Sequence, residues 1–123
     1  MNSATAYIKT ADDLFSRIVR FRGFCEHCGS LEKSLFQCAH IIGRDNKTLR
    51  WDANNALCLC DTCHRWAHAH PKLFIEWVES KFPDRYAWIM RRKEENALMK
   101  WYDYEDLIKF LREFLNNLKG GQH

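Results

Sequence analysis

The chain lacks most of what divides a polypeptide into pieces. Its 123 residues include only five glycines and two prolines, too few for a long flexible linker or a disordered region. No stretch approaches the roughly 18 consecutive apolar residues of a membrane span. The segment Met1 to Thr10, MNSATAYIKT, has neither the basic flank nor the apolar core of about 7–15 residues of a secretory leader. These absences lead us to expect a soluble, cytoplasmic protein with no membrane partner. Strong charge is missing too: 19 Lys and Arg against 16 Asp and Glu give a net +3, which permits an anionic partner without demanding one. There is no internal repeat, and the only low-complexity segment is the terminal GGQH, expected to fray.

What is present suits one domain. The length allows a single core, and 46% hydrophobic with 14% aromatic residues is a globular composition. Periodicity predicts a helix-rich α+β fold. Thr10 and Asp13 resemble a capping box, and Leu14, Ile18 and Phe21 follow at helical spacing, so a first helix is expected over about 11–21, ending before Gly23. Residues 24–34 read as an irregular knuckle. LFQCAHII and ALCLC read as two strands joined by a long polar turn over 43–54, an antiparallel hairpin. Asp61 or Thr62 can cap a short helix carrying His64 and His68, and Pro71 opens another with Phe74, Trp77 and Val78 inward. Pro83 resets the chain before a helix over about 84–99. The last helix, about 104–118, has a stripe of Leu107, Leu111, Phe114 and Leu118 with Ile108 and Leu115 beside it, Asp103 as its cap and Gly120 as its stop.

Cysteine is not scarce. Of six, four form two C-x-x-C pairs, Cys25 with Cys28 and Cys60 with Cys63. In a reducing compartment such pairs are metal ligands or redox dithiols rather than disulfides. A redox motif wants a single pair after a strand in a βαβ context, and no such alternation is present, so the preferred reading is one structural Zn²⁺ in a closed shell of four thiolates. Cys38 and Cys58 lie outside the pairs and read as small buried hydrophobes.

His40, Asn55, His64 and His68 follow one another at spacings of 15, 9 and 4 residues. His64 and His68 stand one helical turn apart on one face, a natural clamp for a cation. At H40…N55…H64, in register with the two cysteine pairs, the chain resembles the HNH, or ββα-metal finger, endonucleases. With its two cysteine pairs it is similar to phage-type HNH nucleases and phage junction-resolving enzymes with a four-cysteine zinc, and the spacing also resembles that of nuclease colicins. The resemblance covers about residues 25–78, flanked by the N-terminal helix and the helices over 84–118. It implies a hairpin and helix around one divalent cation, and hydrolysis of DNA phosphodiesters to 5′-phosphate and 3′-hydroxyl ends. His40 would be the general base, Asn55 would orient the loop, and His64 with His68 would hold a catalytic Mn²⁺ or Mg²⁺, with Ni²⁺, Co²⁺ or Zn²⁺ also admissible. A phage or recombination factor is an admissible protein partner on the same ground.

There is one departure. The family often has Asp or His immediately before the base, as a further ligand, and here the residue is Ala39. Either water and phosphate complete the shell or another residue substitutes, His70 being a weak candidate. Arg44, Lys47 and Arg50 in the loop and Arg65 beside His64 are the bases expected to meet the DNA backbone. Arg91, Arg92 and Lys93 precede Glu94 and Glu95 and read as a solvated helix face. His27 and His123 are assigned no role. No separate module reads sequence, so cleavage should be weakly selective. The reading from another class is a zinc-dependent DNA-binding or scaffold domain with a decayed site.

Overall fold

The computed structural model describes residues 3–96 and 98–121. Eight elements follow in order: α1 (Ser3–Arg20), β1 (Gln37–His40), α2 (Lys47–Arg50), β2 (Ala56–Leu59), α3 (Asp61–Ala69), α4 (Pro71–Lys81), α5 (Pro83–Arg92) and α6 (Trp101–Gly120). The fold is α+β and helix-rich, with a single antiparallel pair of strands among the described residues. No described helix is long and apolar enough to cross a membrane.

The two strands pair in the register Gln37 with Leu59 through His40 with Ala56. Every residue of β2 is buried, which explains why ALCL reads as a continuous apolar run rather than an alternating one. The cover comes from α1 and α3, which pack on both strands. α1 in turn rests on α6, joined by the buried side chains Ala11, Leu14, Phe15, Ile18 and Val19 on one helix and Tyr104, Ile108, Leu111 and Leu115 on the other. Burying each of the larger aliphatic side chains contributes about 1.5–3 kcal/mol. The scaffold behind the hairpin is therefore a packed helix pair.

Several local expectations are corrected. α1 begins at Ser3 rather than near residue 11, because the Thr10 hydroxyl bonds back to the Ala6 carbonyl at 3.1 Å inside the helix instead of capping a new one. The 43–54 turn is not without structure: it contains α2, capped by the Asn46 side chain, and a 3-10 turn at Ala53–Asn55. α3 is capped by Cys60, with no side-chain cap bond, so neither Asp61 nor Thr62 is the cap. α5 ends at Arg92, short of residue 99, because the chain beyond it turns to meet α2: Asn46 donates to the Lys93 carbonyl at 2.7 Å and Asn96 accepts the Lys47 N–H at 3.1 Å. In α6 the buried stripe is shifted, leaving Phe114 42% exposed. Its N-cap is Lys100, whose N–H is accepted by Asp103 in the first turn. Helix α6 includes Gly120, and Gly121 caps it. Gln122 and His123, at the end of the tail expected to fray, lie outside the described residues.

Candidate metal centre and the adjoining cavity

The first cysteine pair sits on a tight turn after α1. Gly29, at φ +81°, closes it by donating to the Cys25 carbonyl at 2.8 Å, while the Cys25 N–H reaches Ser30 O at 2.9 Å. A left-handed turn here favours glycine, since any Cβ would strain it. The second pair lies where β2 meets α3. Cys60 is the N-cap, its carbonyl accepting the His64 N–H at 2.8 Å, and Cys63 lies in the first turn.

All four sulfurs lie within 4.8 Å of one another, and Cys28 Sγ is 3.7 Å from Cys60 Sγ. Tetrahedral zinc with bonds of about 2.3 Å separates its thiolates by roughly 3.8 Å, so the set can hold one such ion. The electrostatics point the same way. Burial raises the Cys25 thiol, but the backbone N–H groups of Cys28, Cys60 and His27 outweigh it and bring the pKa down to about 7. Burial first, then the neighbouring thiols, hold Cys63 far above its ordinary value. Four thiolates cannot ionise together here without a compensating cation.

Two supports escaped the sequence reading. His27 Nδ1 is 3.2 Å from Cys63 Sγ, with its ring packed against Trp66 and Trp77 at 4.5 and 4.7 Å between centroids. An N–H at that nitrogen donates to the thiolate and fixes its orientation. Glu26, almost fully buried, accepts the Cys58 N–H at 2.8 Å and an Arg22 N–H at 2.7 Å, tying the knuckle to β2. Cys58 is buried and Cys38 half-buried, outside the cluster, and burial pushes their thiols up to about 11 and about 12. Cys58 is the small buried hydrophobe expected, whereas Cys38 is buried only in part.

Next to this centre is a cavity of about 800 Å³, lined by α1, β1, α3 and the loop after β1. His40, Arg44, His64 and His68 all face it, with Asp12 and Arg20 from α1. His40 Nε2 is 2.8 Å from the Arg50 carbonyl. A carbonyl only accepts, so Nε2 carries the proton and Nδ1 is left as the basic nitrogen. Burial, and secondarily the Arg44 and Arg50 charges, lower the pKa of His40, partly opposed by the Arg50 carbonyl and Asp12. Burial therefore favours the neutral ring.

Asn55, the one fully buried polar side chain among the described residues, ties the loop shut. It accepts the Ile42 N–H at 2.8 Å and donates to the carbonyls of Ile42 and Leu49 at 2.9 and 3.0 Å. His64 and His68 bring their Nε2 atoms to 3.1 Å. Two nitrogens bound to one cation at about 2.1 Å and about 95° stand that far apart. No third His, Cys, Asp or Glu donor joins them among the described residues. Ala39, buried in β1, offers none, and His70 does not line the cavity. Burial, then the proximity of His68, lowers the pKa of His64.

The four expected DNA-contacting bases divide. Arg44 is exposed on the cavity. Arg65 is exposed and paired with Asp61 at 3.1 Å. Arg50 is bound to Asp12, and Lys47 donates to the Tyr104 hydroxyl at 3.0 Å, so both direct their charge into the fold. Arg20, not singled out in the sequence, also faces the cavity, its Nε held by Ser16 Oγ at 3.1 Å. No protein-family model, curated protein or solved structure matches the chain.

Proposed function

We propose that the chain is a divalent-cation-dependent DNA endonuclease of the HNH type, with a structural zinc in its four-cysteine centre. One observation carries this reading: a histidine with a fixed tautomer and a free Nδ1 shares a cavity with a pair of imidazoles spaced for one cation. Phosphodiester hydrolysis asks for such groups, a base for water and positive charge for the phosphate.

His40 Nδ1 takes the proton of the attacking water, and the neutral ring favoured by burial is ready to do so. As the proton moves to Nδ1, the Nε2–H bond to the Arg50 carbonyl stabilises the imidazolium that forms. Asn55 keeps that loop in place. His64 and His68 would hold the cation, and no further His, Cys, Asp or Glu donor joins the pair among the described residues. A bound divalent ion supplies charge to the phosphate and to the departing 3′ oxygen. Arg44 and Arg20 hold the flanking backbone. Water attacks phosphorus, the bond to the 3′ oxygen breaks, that oxygen takes a proton from solvent water, and the ends are 5′-phosphate and 3′-hydroxyl. Mn²⁺ should serve better than Mg²⁺, since imidazole nitrogen favours transition metals.

The test is nicking of supercoiled plasmid with Mn²⁺, Mg²⁺ or EDTA, followed by ligase. Nicks formed only with a divalent ion and resealed directly by ligase are expected. Tight plasmid binding with no cleavage by any ion would favour a DNA-binding or scaffold domain instead.

A further inference from the structure

We propose that Asp12 of α1 is a positioning residue for His40: by clamping the Arg50 side chain, it fixes the Arg50 carbonyl that decides which nitrogen of His40 carries the proton. The proposal rests on the nuclease reading for its consequence in rate, but not for its structural content.

Asp12 makes three hydrogen bonds across a long sequence interval. Its Oδ1 accepts from Arg50 Nε at 3.0 Å and from Trp51 Nε1 at 2.9 Å, and its Oδ2 accepts from Arg50 Nη2 at 2.6 Å. This is the two-pronged guanidinium–carboxylate pairing, the form that fixes direction as well as position. The pair is mostly buried, at 16% exposure for the Arg50 side chain and 25% for Asp12. Arg50 is held on two more sides, by the Arg44 carbonyl at 3.1 Å and by the Trp51 ring at 5.4 Å. The backbone of that same residue receives His40 Nε2. Helix α1 packs on both strands of the hairpin, and Phe15, one turn on from Asp12, packs on the His40 ring at 5.7 Å. One helix thus supplies both the wall behind the base and the clamp on its hydrogen-bond acceptor.

The arrangement accounts for an acid that would otherwise be misplaced. A carboxylate in a cavity meant for phosphate repels the substrate, unless its charge is already answered by Arg50 and Trp51. It also accounts for Arg50 being turned inward rather than toward DNA. The charged groups that act on His40 most are Asp12 from α1 and Arg44 and Arg50 from the loop and α2, while Asp13 and Arg20 of α1 and His64 and His68 of α3 line the same cavity. Asp12 raises the pKa of His40 and the two arginines lower it, so removing the carboxylate shifts the histidine further toward the neutral form.

Asp12→Asn is the informative variant, with Arg50→Lys beside it, since lysine keeps the charge and the backbone carbonyl but cannot make the paired contact. Imidazole ¹H–¹⁵N correlation spectra of the metal-free-buffer, zinc-loaded protein should show His40 as the Nε2–H tautomer in the parent. Both variants should show an added Nδ1–H population. In Asp12→Asn the His40 titration should move to lower pH. Nicking should fall about 10- to 100-fold, the loss that accompanies a slightly misplaced reacting group, while plasmid affinity holds or tightens because a cation is released beside the cavity. The acid limb of the rate profile should shift down with the titration. A folded Asp12→Asn with the parental tautomer, titration and rate overturns the proposal, and if that variant does not fold, a parental tautomer in Arg50→Lys does so. If the parent spectra and variant shifts are as described but nothing is cut, the clamp stands and the nuclease reading fails.

Discussion

The four-cysteine centre and the histidine pair are neighbours built on opposite plans. Cys63 and His64 are consecutive in α3, so their side chains diverge by about 100° around the helix axis. One joins a set of four sulfurs within 4.8 Å, three of them on buried residues; the other joins a single partner at 3.1 Å on a half-exposed rim. Four protein donors leave an ion no open position, whereas two leave most of its shell to solvent and substrate. On the proposed reading, the same helix turn serves stability with one residue and chemistry with the next, because donor number and burial differ.

The sharpest way to break the comparison is to remove metal from each side. Cys63→Ala, or stripping zinc from the parent, should abolish folding. Binding free energies of about 10–16 kcal/mol for structural zinc match or exceed the whole stability of a domain, about 5–15 kcal/mol. Circular dichroism and metal analysis check this, and a folded, metal-free variant would show that the cysteines are not a staple. On the other side, His64→Ala and His68→Ala should both fold. Nicking should drop further for His64→Ala, about 100-fold or more by analogy with the loss of a metal-supporting group. Raised Mn²⁺ should largely rescue His68→Ala, whose residue is exposed, but scarcely rescue His64→Ala, whose residue is half-buried. Equal and fully rescued defects would mean that the cation is held elsewhere.

Asn55→Ala probes the loop that carries the Arg50 carbonyl to His40. It leaves the Ile42 N–H and the Ile42 carbonyl without their partner, while the Leu49 carbonyl keeps the Asp52 N–H at 3.1 Å. At about 1–3 kcal/mol per orphaned buried group, a fall in melting temperature of several degrees is expected with zinc still bound; an unchanged melt would refute the tie. The smallest effect is in pH. Because the His40 pKa lies below its ordinary 6.5, the nicking rate should rise with pH through a midpoint under about 6.5 and stay flat from there to pH 8. A midpoint above 7 would argue against His40 as the base.

The parts legible in the sequence are those with local signatures. Paired cysteines two residues apart, apolar runs flanking a polar loop, and imidazoles four apart each carry their geometry in their spacing, and the structure brings each group together. The parts that were not legible depend on partners far along the chain. Thr10 and Asp13 imitate a helix start, while the true start is stabilised by packing of Ala4, Tyr7 and Ile8 on the core. The apolar arc of α6 is wider than the face α1 can cover, so periodicity alone could not say that Phe114 falls outside it. Arg50 looked like a free loop base because its carboxylate is 38 residues away in sequence, and His27 gave no sign of reaching Cys63.

The central claim is that His40 performs chemistry rather than packing or binding. The most direct measurement is single-turnover nicking and plasmid affinity for the parent and His40→Ala, side by side in Mn²⁺. The account predicts a rate lower by roughly 10²–10⁴ with affinity nearly unchanged, as for the loss of a positioned general base. A His40→Ala protein that is folded and cuts as fast as the parent would contradict it.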